Sequence, residues 1–533
     1  MLRAWRGRAA YSVVVARSDR PARPSTARVP KPSLRATTRR AIQPSGPPTD
    51  EIPIWTAPDG VDRKTAQAVI DLAMLAGVAM LATGAAAADV TATVLILTRA
   101  YGLQSVHVDV TYTSVTVSYH RGPDADPLTV MRVVRYRVQD FTRLGRLRSL
   151  IVALAQEPLE VGEARLQFDA LIRAPHPYRR WLVTAAGASL AAAVSVLLGA
   201  GPIIAGITFL TAGLVSRLLD AFARIGVASF FAQVLGSAIP TAVATLVVAG
   251  QAAGLGFLDG LSPSLIVSSG IVLLLAGLSV VGAAEDALEG YYVTAGARTF
   301  EVVALSLGIA VGVTIVLSVG QRLGYPIAIV GGTRLSDQVL VQLVCAAVIS
   351  AAFAVITYAG GRVVLVAGLA GALGWAVLAV VERGGVGPVT ASSAAALVIG
   401  FTAKLVARRL EFSALAVTTA AIVPLLPGRM AYEGIALIVS QPAGLGMSAG
   451  LPSLAGAFGL GLGLAAGVSL GTNFAGIVLA RRGGPRPPRA AGASLPRDPG
   501  RPAPAPTALS DTDEVPRVVR ATEDLPTGRD RQG

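Results

Sequence analysis

Cysteine, histidine and lysine are nearly missing from this 533-residue chain, and each shortage closes off a chemistry. The one cysteine, Cys345, can form no intrachain disulfide and no cysteine metal cluster, and it lies in an apolar run where it reads as a small core residue. The three histidines, His107, His120 and His176, all precede the long apolar stretches, so none is available to a site further along. Lysine occurs only at positions 31, 64 and 404, which makes the basic residues almost entirely arginine. Charged residues amount to 15%, well short of the roughly 25% of a soluble domain. No G-x-x-x-x-G-K-[ST] occurs, which removes an ATP-hydrolysing P-loop. Gly446-Met-Ser448-Ala-Gly450 fits the G-x-S-x-G nucleophile pattern, but it sits in a glycine-rich loop across a membrane from every histidine. The sequence therefore predicts no enzyme, no metal and no cofactor.

What is present is apolar residue, 53% of the chain, together with a formal net charge of +14. The tails hold most of that charge: +9 within residues 1–50 and +3 within 481–533, against a nearly neutral body. A charge so placed argues against a nucleic-acid partner and for arginine-rich tails drawn to anionic membrane lipid. Residues 1–58 and 481–533 are rich in Arg, Pro, Ser and Ala without periodicity and read as disordered tails. The eight apolar residues from Ala9 to Ala16 are too few for a cleaved signal.

Residues 60–178 alternate helical and strand periodicities. Helices are predicted over 62–83, 89–101, 140–154 and 159–172, and strands over Val106–Val110, Val115–Tyr119 and Met131–Arg137. This describes a small α+β domain closed by Pro175 and Pro177, with Met74–Ala88 apolar but too short to span a bilayer. From Trp181 onward ten runs are long enough to cross: 181–199, 202–216, 229–249, 263–282, 302–319, 339–358, 363–381, 389–407, 412–427 and 453–479. With the α+β domain inside, eleven Arg and Lys fall on cytoplasmic segments and four on outside ones, which puts both termini in the cytoplasm.

Two internal patterns stand out. Val272-Leu-Leu-Leu-Ala-Gly277 in the fourth span matches Val423-Pro424-Leu-Leu-Pro427-Gly428 in the ninth, 151 residues later. The copies are offset by five helices, an odd number, so the second enters the membrane from the opposite side. The fold class is thus a polytopic α-helical membrane protein: about ten transmembrane helices as two inverted five-helix repeats, 181–320 and 338–480, preceded by the α+β cytoplasmic domain. Proline and glycine breaks in corresponding segments point to a binding site there, through Gly277, Pro424, Pro427 and Gly428. Gly459, Gly463, Gly467 and Gly471 recur every four residues and predict one close-packing helix face, used within the chain or in a homo-oligomer. Gln233, Ser237 and Asn473 are polar positions inside spans.

Ionisable groups beside a membrane usually have a partner or a function. The densest set is Glu285, Asp286, Glu289, Arg298 and Glu301, between the fourth and fifth spans. Asp286 and Glu301 are placed to approach Arg298, and Glu289 reads as a solvated loop residue.

Several stretches together resemble the threonine/serine exporter family. They are Tyr101-Gly-Leu, Val108-Asp-Val-Thr-Tyr-Thr-Ser-Val, Val133-Val-Arg-Tyr-Arg-Val-Gln-Asp140-Phe-Thr-Arg-Leu144 and Ala174-Pro-His-Pro-Tyr178. Leu274-Leu-Ala-Gly277, Asp286-Ala-Leu-Glu-Gly-Tyr-Tyr-Val-Thr294 with Arg298, and Pro424-Leu-Leu-Pro-Gly428 complete the set. The resemblance covers about 60–480 and implies a plasma-membrane antiporter that moves small hydroxy amino acids outward on the proton motive force. It also implies, through relatives of different substrate, an alternative exporter of small dicarboxylates such as succinate. Asp286, then Glu301, are the expected proton-coupling carboxylates, with Arg298 and Glu285 beside them. A membrane-anchored sensor or scaffold acting through residues 60–178 is the competing class; a channel is disfavoured because no acidic ring or repeated pore loop is visible.

Overall fold

The computed structural model describes residues 61–481 except 121–125, 135–136, 275–276, 328–337, 411, 427–429, 431–432, 435–436 and 438–444. Both tails, Pro427 and Gly428 lie outside the described residues.

The chain begins with two helices, α1 (Arg63–Ala82) and α2 (Ala87–Ala100). Asp62 caps α1 by accepting the Lys64 amide at 2.8 Å. A three-stranded antiparallel sheet follows, β1 (Val106–Val110), β2 (Ser114–Tyr119) and β3 (Leu128–Val133), in the order β1-β2-β3. The third strand lies earlier than the alternation at Met131–Arg137 suggests. Its extent is set by β2, against which Leu128 pairs with Tyr119 and Val133 with Ser114. Two more helices, α3 (Phe141–Gln156) and α4 (Val161–Arg173), pack on α1 and α2. Val69, Ile70, Leu72 and Met74 of α1, Val115 and Val117 of β2, Leu144 and Leu147 of α3 and Phe168 of α4 fill the core between them.

Nine helices among the described residues are long and apolar enough to cross a membrane by length and composition, and α1 is one of them. Packing separates it from the rest. Of its apolar stretch 61% is buried within the chain, against 28–39% for the other eight. Those eight are α5 (Arg180–Leu197), α6 (Pro202–Ile225), α7 (Ser229–Ala252), α10 (Tyr292–Arg322), α11 (Val339–Ile356), α12 (Gly361–Arg383), α13 (Pro388–Leu410) and α15 (Leu445–Arg481). They carry apolar stripes that no part of the chain covers, such as Leu365, Leu369 and Leu373 at 66%, 65% and 41% exposure. Leucines at i, i+4 and i+8 left bare on a helix are stable only against lipid. The molecule is thus a polytopic helical membrane protein.

The fourth and ninth spans are not continuous helices. The fourth is α8 (Pro263–Gly270), a 3₁₀ turn at Val272–Leu274, and α9 (Gly277–Leu288). The ninth opens as α14 (Ala414–Ala421) followed by a 3₁₀ turn at Val423–Leu425. Both pairs of elements have the same lengths and the same spacing, and every boundary is offset by 151 residues. Proline is not required for the break: Pro424 stands in the second 3₁₀ turn where the first has Leu273. In the first copy α8 ends at Gly270, whose missing side chain admits Pro240 of α7. Packing follows the same correspondence: α5 on α6 and α11 on α12, α7 on α10 and α13 on α15, α6 on α8 and α12 on α14. The two leading helices, α5 and α11, pack on each other.

The glycine face of α15 meets α13, within the chain. Gly467 lies against the Ser393 carbonyl, Gly471 against the Leu397 carbonyl, and Gly463 against Val389 and Ser393. Gly459 departs from the pattern, since a side chain there would enter open space. On α10, Gly308 and Gly312 meet the backbone carbonyls of Phe230 and Val234 in α7. Asn473 is exposed on α15. Overpacking of this kind costs about 1–3 kcal/mol or more. Gly471→Leu is expected to lower the unfolding temperature of detergent-purified protein sharply, and Gly459→Ala to leave it unchanged; equal losses would contradict the packing described.

Candidate functional site

Where β1 turns into β2, Thr111 and Ser114 close a two-residue hairpin: the Thr111 amide donates to the Ser114 carbonyl at 2.9 Å and the two hydroxyls lie 2.8 Å apart. The tip residues are Tyr112 and Thr113, and the tip points at the hairpin of α9 and α10. Thr294 of α10 donates its hydroxyl to the Val110 carbonyl at 3.3 Å, and Tyr291 donates to Thr91 of α2 at 3.2 Å. α10 has 31 residues and is about 46 Å long, more than the roughly 30 Å of a hydrocarbon core, so its first turns are free to serve this contact.

The sequence candidates gather here, Asp286 with the partner expected and Glu301 with a different one. Asp286, 1% exposed near the end of α9, pairs with Arg298 Nε at 3.1 Å. The first backbone N–H of α2, at Ala87, faces the same carboxylate, a helix N-terminus that favours negative charge. Gly282, one turn earlier on α9, leaves the space that the Arg298 guanidinium occupies. Glu301 turns away from Arg298 and accepts a short hydrogen bond from the Tyr112 hydroxyl. Tyr112 in turn sits between two guanidinium groups, with Arg137 Cζ 4.1 Å and Arg298 Cζ 5.9 Å from its ring centroid. Arg137 also donates to the Tyr112 carbonyl. Burial and the Glu301 carboxylate push the Tyr112 phenol up to about 12, so it stays protonated and remains a donor.

A second layer of acids lies behind Asp286. Glu285 is within electrostatic reach of Asp89, Asp286, Arg298 and Arg148, and Arg148 pairs with Asp89. Glu289, in the turn after α9, is not the solvated loop residue its sequence position suggests: its Oε2 is buried and has no hydrogen-bond partner. Burial, then Glu285, Asp89 and Asp286, push its carboxyl from 4.5 up to about 8. Tyr112 and Arg137 are the residues that sequence reasoning missed. The only signal for them was their position inside the two stretches Val108–Val115 and Val133–Leu144 that carried the resemblance.

The remaining candidates lie apart from this cluster. Gly277 opens α9 and Pro424 lies in the second 3₁₀ turn. Gln233, at the start of α7, has a buried Oε1 with no hydrogen-bond partner and packs beside Gly308. Ser237 bridges α7 to α10 through the Ile309 carbonyl at 3.1 Å. Among the described residues no group of three His, Cys, Asp or Glu side chains is placed to hold a metal.

Residues 71–320 match a family model described as "Putative threonine/serine exporter", and residues 342–470 match another, "Threonine/Serine exporter, ThrE". The two matches divide between α10 and α11. A "Probable threonine/serine exporter" of Mycobacterium tuberculosis is 35% identical over 418 residues, covering 76% of this chain and 77% of the relative. A "Threonine/serine exporter" of Corynebacterium glutamicum is 32% identical over 444 residues, 82% of this chain and 88% of the relative. No solved structure matches the chain.

Glu289 generates a pH prediction. Folded protein holds its proton up to about pH 8 and the unfolded chain releases it near 4.5, so this residue's contribution to stability is present below 4.5 and is lost as pH rises to about 8. Glu289→Gln is expected to flatten the fall in unfolding temperature across that window. An unchanged slope in the variant would remove Glu289 as its cause.

Proposed function

The chain belongs to the threonine/serine exporter family, and on that premise we propose that it carries threonine and serine out across the plasma membrane, driven by the proton motive force. It is a transporter and not an enzyme, and an amino-acid exporter is the reading its relatives support. The observation that carries the mechanism is the pair of broken helices 151 residues apart, at matching positions in two sets of five spans. Such breaks expose amides and carbonyls near the middle of a membrane, where the amides can hold a carboxylate and the carbonyls an ammonium group. A zwitterionic amino acid needs both.

The copies are offset by five spans, an odd number, which inverts the halves 181–320 and 338–480 relative to each other in this reading. Exchange of conformations between two such halves gives inward- and outward-open states. Support comes from the shared packing pairs and from the contact of α5 with α11, the leading helices of the two halves. Every described loop that touches the helix–sheet unit, 289–294 and 357–359, falls on the same side in this topology. The arginine distribution supports a cytoplasmic assignment for that side and for both termini.

Proton coupling needs a carboxylate that is shielded from water and that changes partner during the cycle. Asp286 meets the first condition, held between Arg298 and the α2 N-terminus, and Glu301 is tied to the Tyr112 hydroxyl. Asp286 is therefore the primary coupling residue and Glu301 the second.

Proteoliposomes loaded with labelled threonine, serine or succinate provide the test. An imposed pH step is expected to drive threonine and serine uphill in the wild type. Asp286→Asn is expected to lose that accumulation while keeping downhill exchange. Preferred movement of succinate would replace the substrate assignment, and uphill transport by the Asn variant would remove Asp286 from coupling.

A further inference from the structure

The segment Ala174-Pro-His176-Pro-Tyr178 is not used by the charged cluster, yet it holds a second junction at the other half of the molecule. α11 ends in a turn whose three successive carbonyls all accept from the helix–sheet unit or its exit segment. The Phe141 amide donates to the Thr357 carbonyl at 3.1 Å, the Thr142 hydroxyl to the Tyr358 carbonyl at 2.5 Å, and the Tyr178 hydroxyl to the Ala359 carbonyl at 2.6 Å. Tyr358 adopts φ +56°, the one positive φ outside glycine among the described residues. It stands where a helix stop normally uses glycine: the Ala359 amide returns to the Ala354 carbonyl at 2.8 Å and the Tyr358 amide to Val355 at 3.0 Å. A strained backbone is kept only where its surroundings hold it, and what holds this one is a ring contact. The imidazole of His176 stacks on the Tyr358 ring at 4.4 Å between centroids and 22° between planes.

The unit's side of the junction is braced from behind. Asp140, 2% exposed, caps α3 through the Arg143 amide at 2.9 Å and binds His176 Nδ1 at 2.9 Å. Arg143 in turn holds the Ala174 carbonyl at 2.8 Å. The cap of one helix thereby fixes the imidazole that grips another.

The helix–sheet unit thus has two attachments, one to each half: Tyr112, Val110 and Thr91 to the α9–α10 hairpin, and Phe141, Thr142, His176 and Tyr178 to the α11–α12 turn. We propose that the 174–178 segment and the α3 N-terminus form a latch on the α11–α12 turn, and that this latch opens once in every transport cycle. The argument rests on the alternating movement of the two halves proposed above. A rigid body fastened to both halves at once blocks their relative motion, and the α9–α10 attachment has the stronger, charge-assisted contacts. The α11–α12 attachment, built from neutral hydrogen bonds to backbone carbonyls and a ring stack over strained backbone, is the one that yields. His176, Tyr178 and Thr142 are then positioning residues: they set which state the exporter rests in and touch no substrate.

The test fixes the latch reversibly. In a Cys345→Ser background, His176→Cys and Tyr358→Cys are bridged in proteoliposomes by a short bis-methanethiosulfonate, each thiolate displacing methanesulfinate to form a disulfide that reductant reopens. Cross-linking is expected to lower the maximal rate of threonine efflux about tenfold or more with little change in half-saturation, and reductant to restore it. Full efflux by the bridged protein overturns the latch. A second measurement uses only Thr357→Cys in the same background, a buried side chain whose hydroxyl bonds within its own helix and whose replacement leaves the latch contacts in place: its labelling by a membrane-impermeant maleimide is expected to rise severalfold when threonine and a pH step are supplied, and labelling indifferent to both also overturns the latch. Wild-type protein without efflux would instead sink the exporter reading itself, so the two failures are distinguishable.

Discussion

Backbone polar groups in hydrocarbon have no water to bind, so a helix can be broken inside a membrane only where protein surrounds the break. Much else in this molecule follows from having two such breaks. α8 is buried along Ser264, Leu265, Ile266, Val267, Ser269 and Gly270, and α14 along Ala416, Val417, Thr418, Ala420 and Ala421. Each is sheathed by the preceding helices of its own half, α5–α7 in one case and α11–α13 in the other. Pairs of long helices, α7 with α10 and α13 with α15, approach closely beside them because glycines on α10 and α15 admit backbone carbonyls of the partner. Close backbone approach suits lipid, where the hydrophobic effect gives two helices no reason to associate and packing must do so.

The contacts with the helix–sheet unit obey a different rule. Away from hydrocarbon, charge is tolerated when paired, and Asp286, Arg298, Glu301, Tyr112 and Arg137 gather into one set: Asp286 with Arg298 as an ion pair without a hydrogen bond, Arg298 near the Tyr112 ring, and Glu301 and Arg137 hydrogen-bonded to Tyr112. Two of the five come from the helix–sheet unit, so the cluster is complete only with that unit in place. The consequence for reading the family is that charge in the membrane half has partners outside it.

Much of this was legible in the sequence, and the misses have physical causes. Hydropathy located the eight long apolar helices from α5 onward, because length and composition decide whether a helix fits a bilayer; α1, which meets the same criterion, was read only as a shorter apolar run at Met74–Ala88. Hydropathy could not show that the fourth span is interrupted, since Leu273 and Ala276 carry no breaking signal; only the copy with Pro424 and Pro427 does. The run Asp286 to Glu301 was visible as a charge cluster, and so was the pairing of Asp286 with Arg298; the partner of Glu301 was not. Spacing placed Glu301 one turn from Arg298, while the fold gave it to Tyr112, 189 positions earlier. Glu289 was misread for the same reason: a turn residue is usually wet, and this one is covered by elements distant in the sequence. The period-four glycines were legible as a packing face, except Gly459: Gly463 already meets Val389 at the first turn of α13, so one turn further on there is no helix left to face.

α1 carries one more implication, for biosynthesis. It is an apolar helix of 20 residues with the length and composition of a membrane span, and it precedes every true span among the described residues. The partners that bury it, β2, β3, α3 and α4, leave the ribosome after it does. A nascent chain therefore presents to the insertion machinery, ahead of α5, a segment that qualifies for the bilayer and does not belong there. Were it to insert, every later span would start from the wrong face. The sorting of the whole protein thus depends on a race that the small sheet must win.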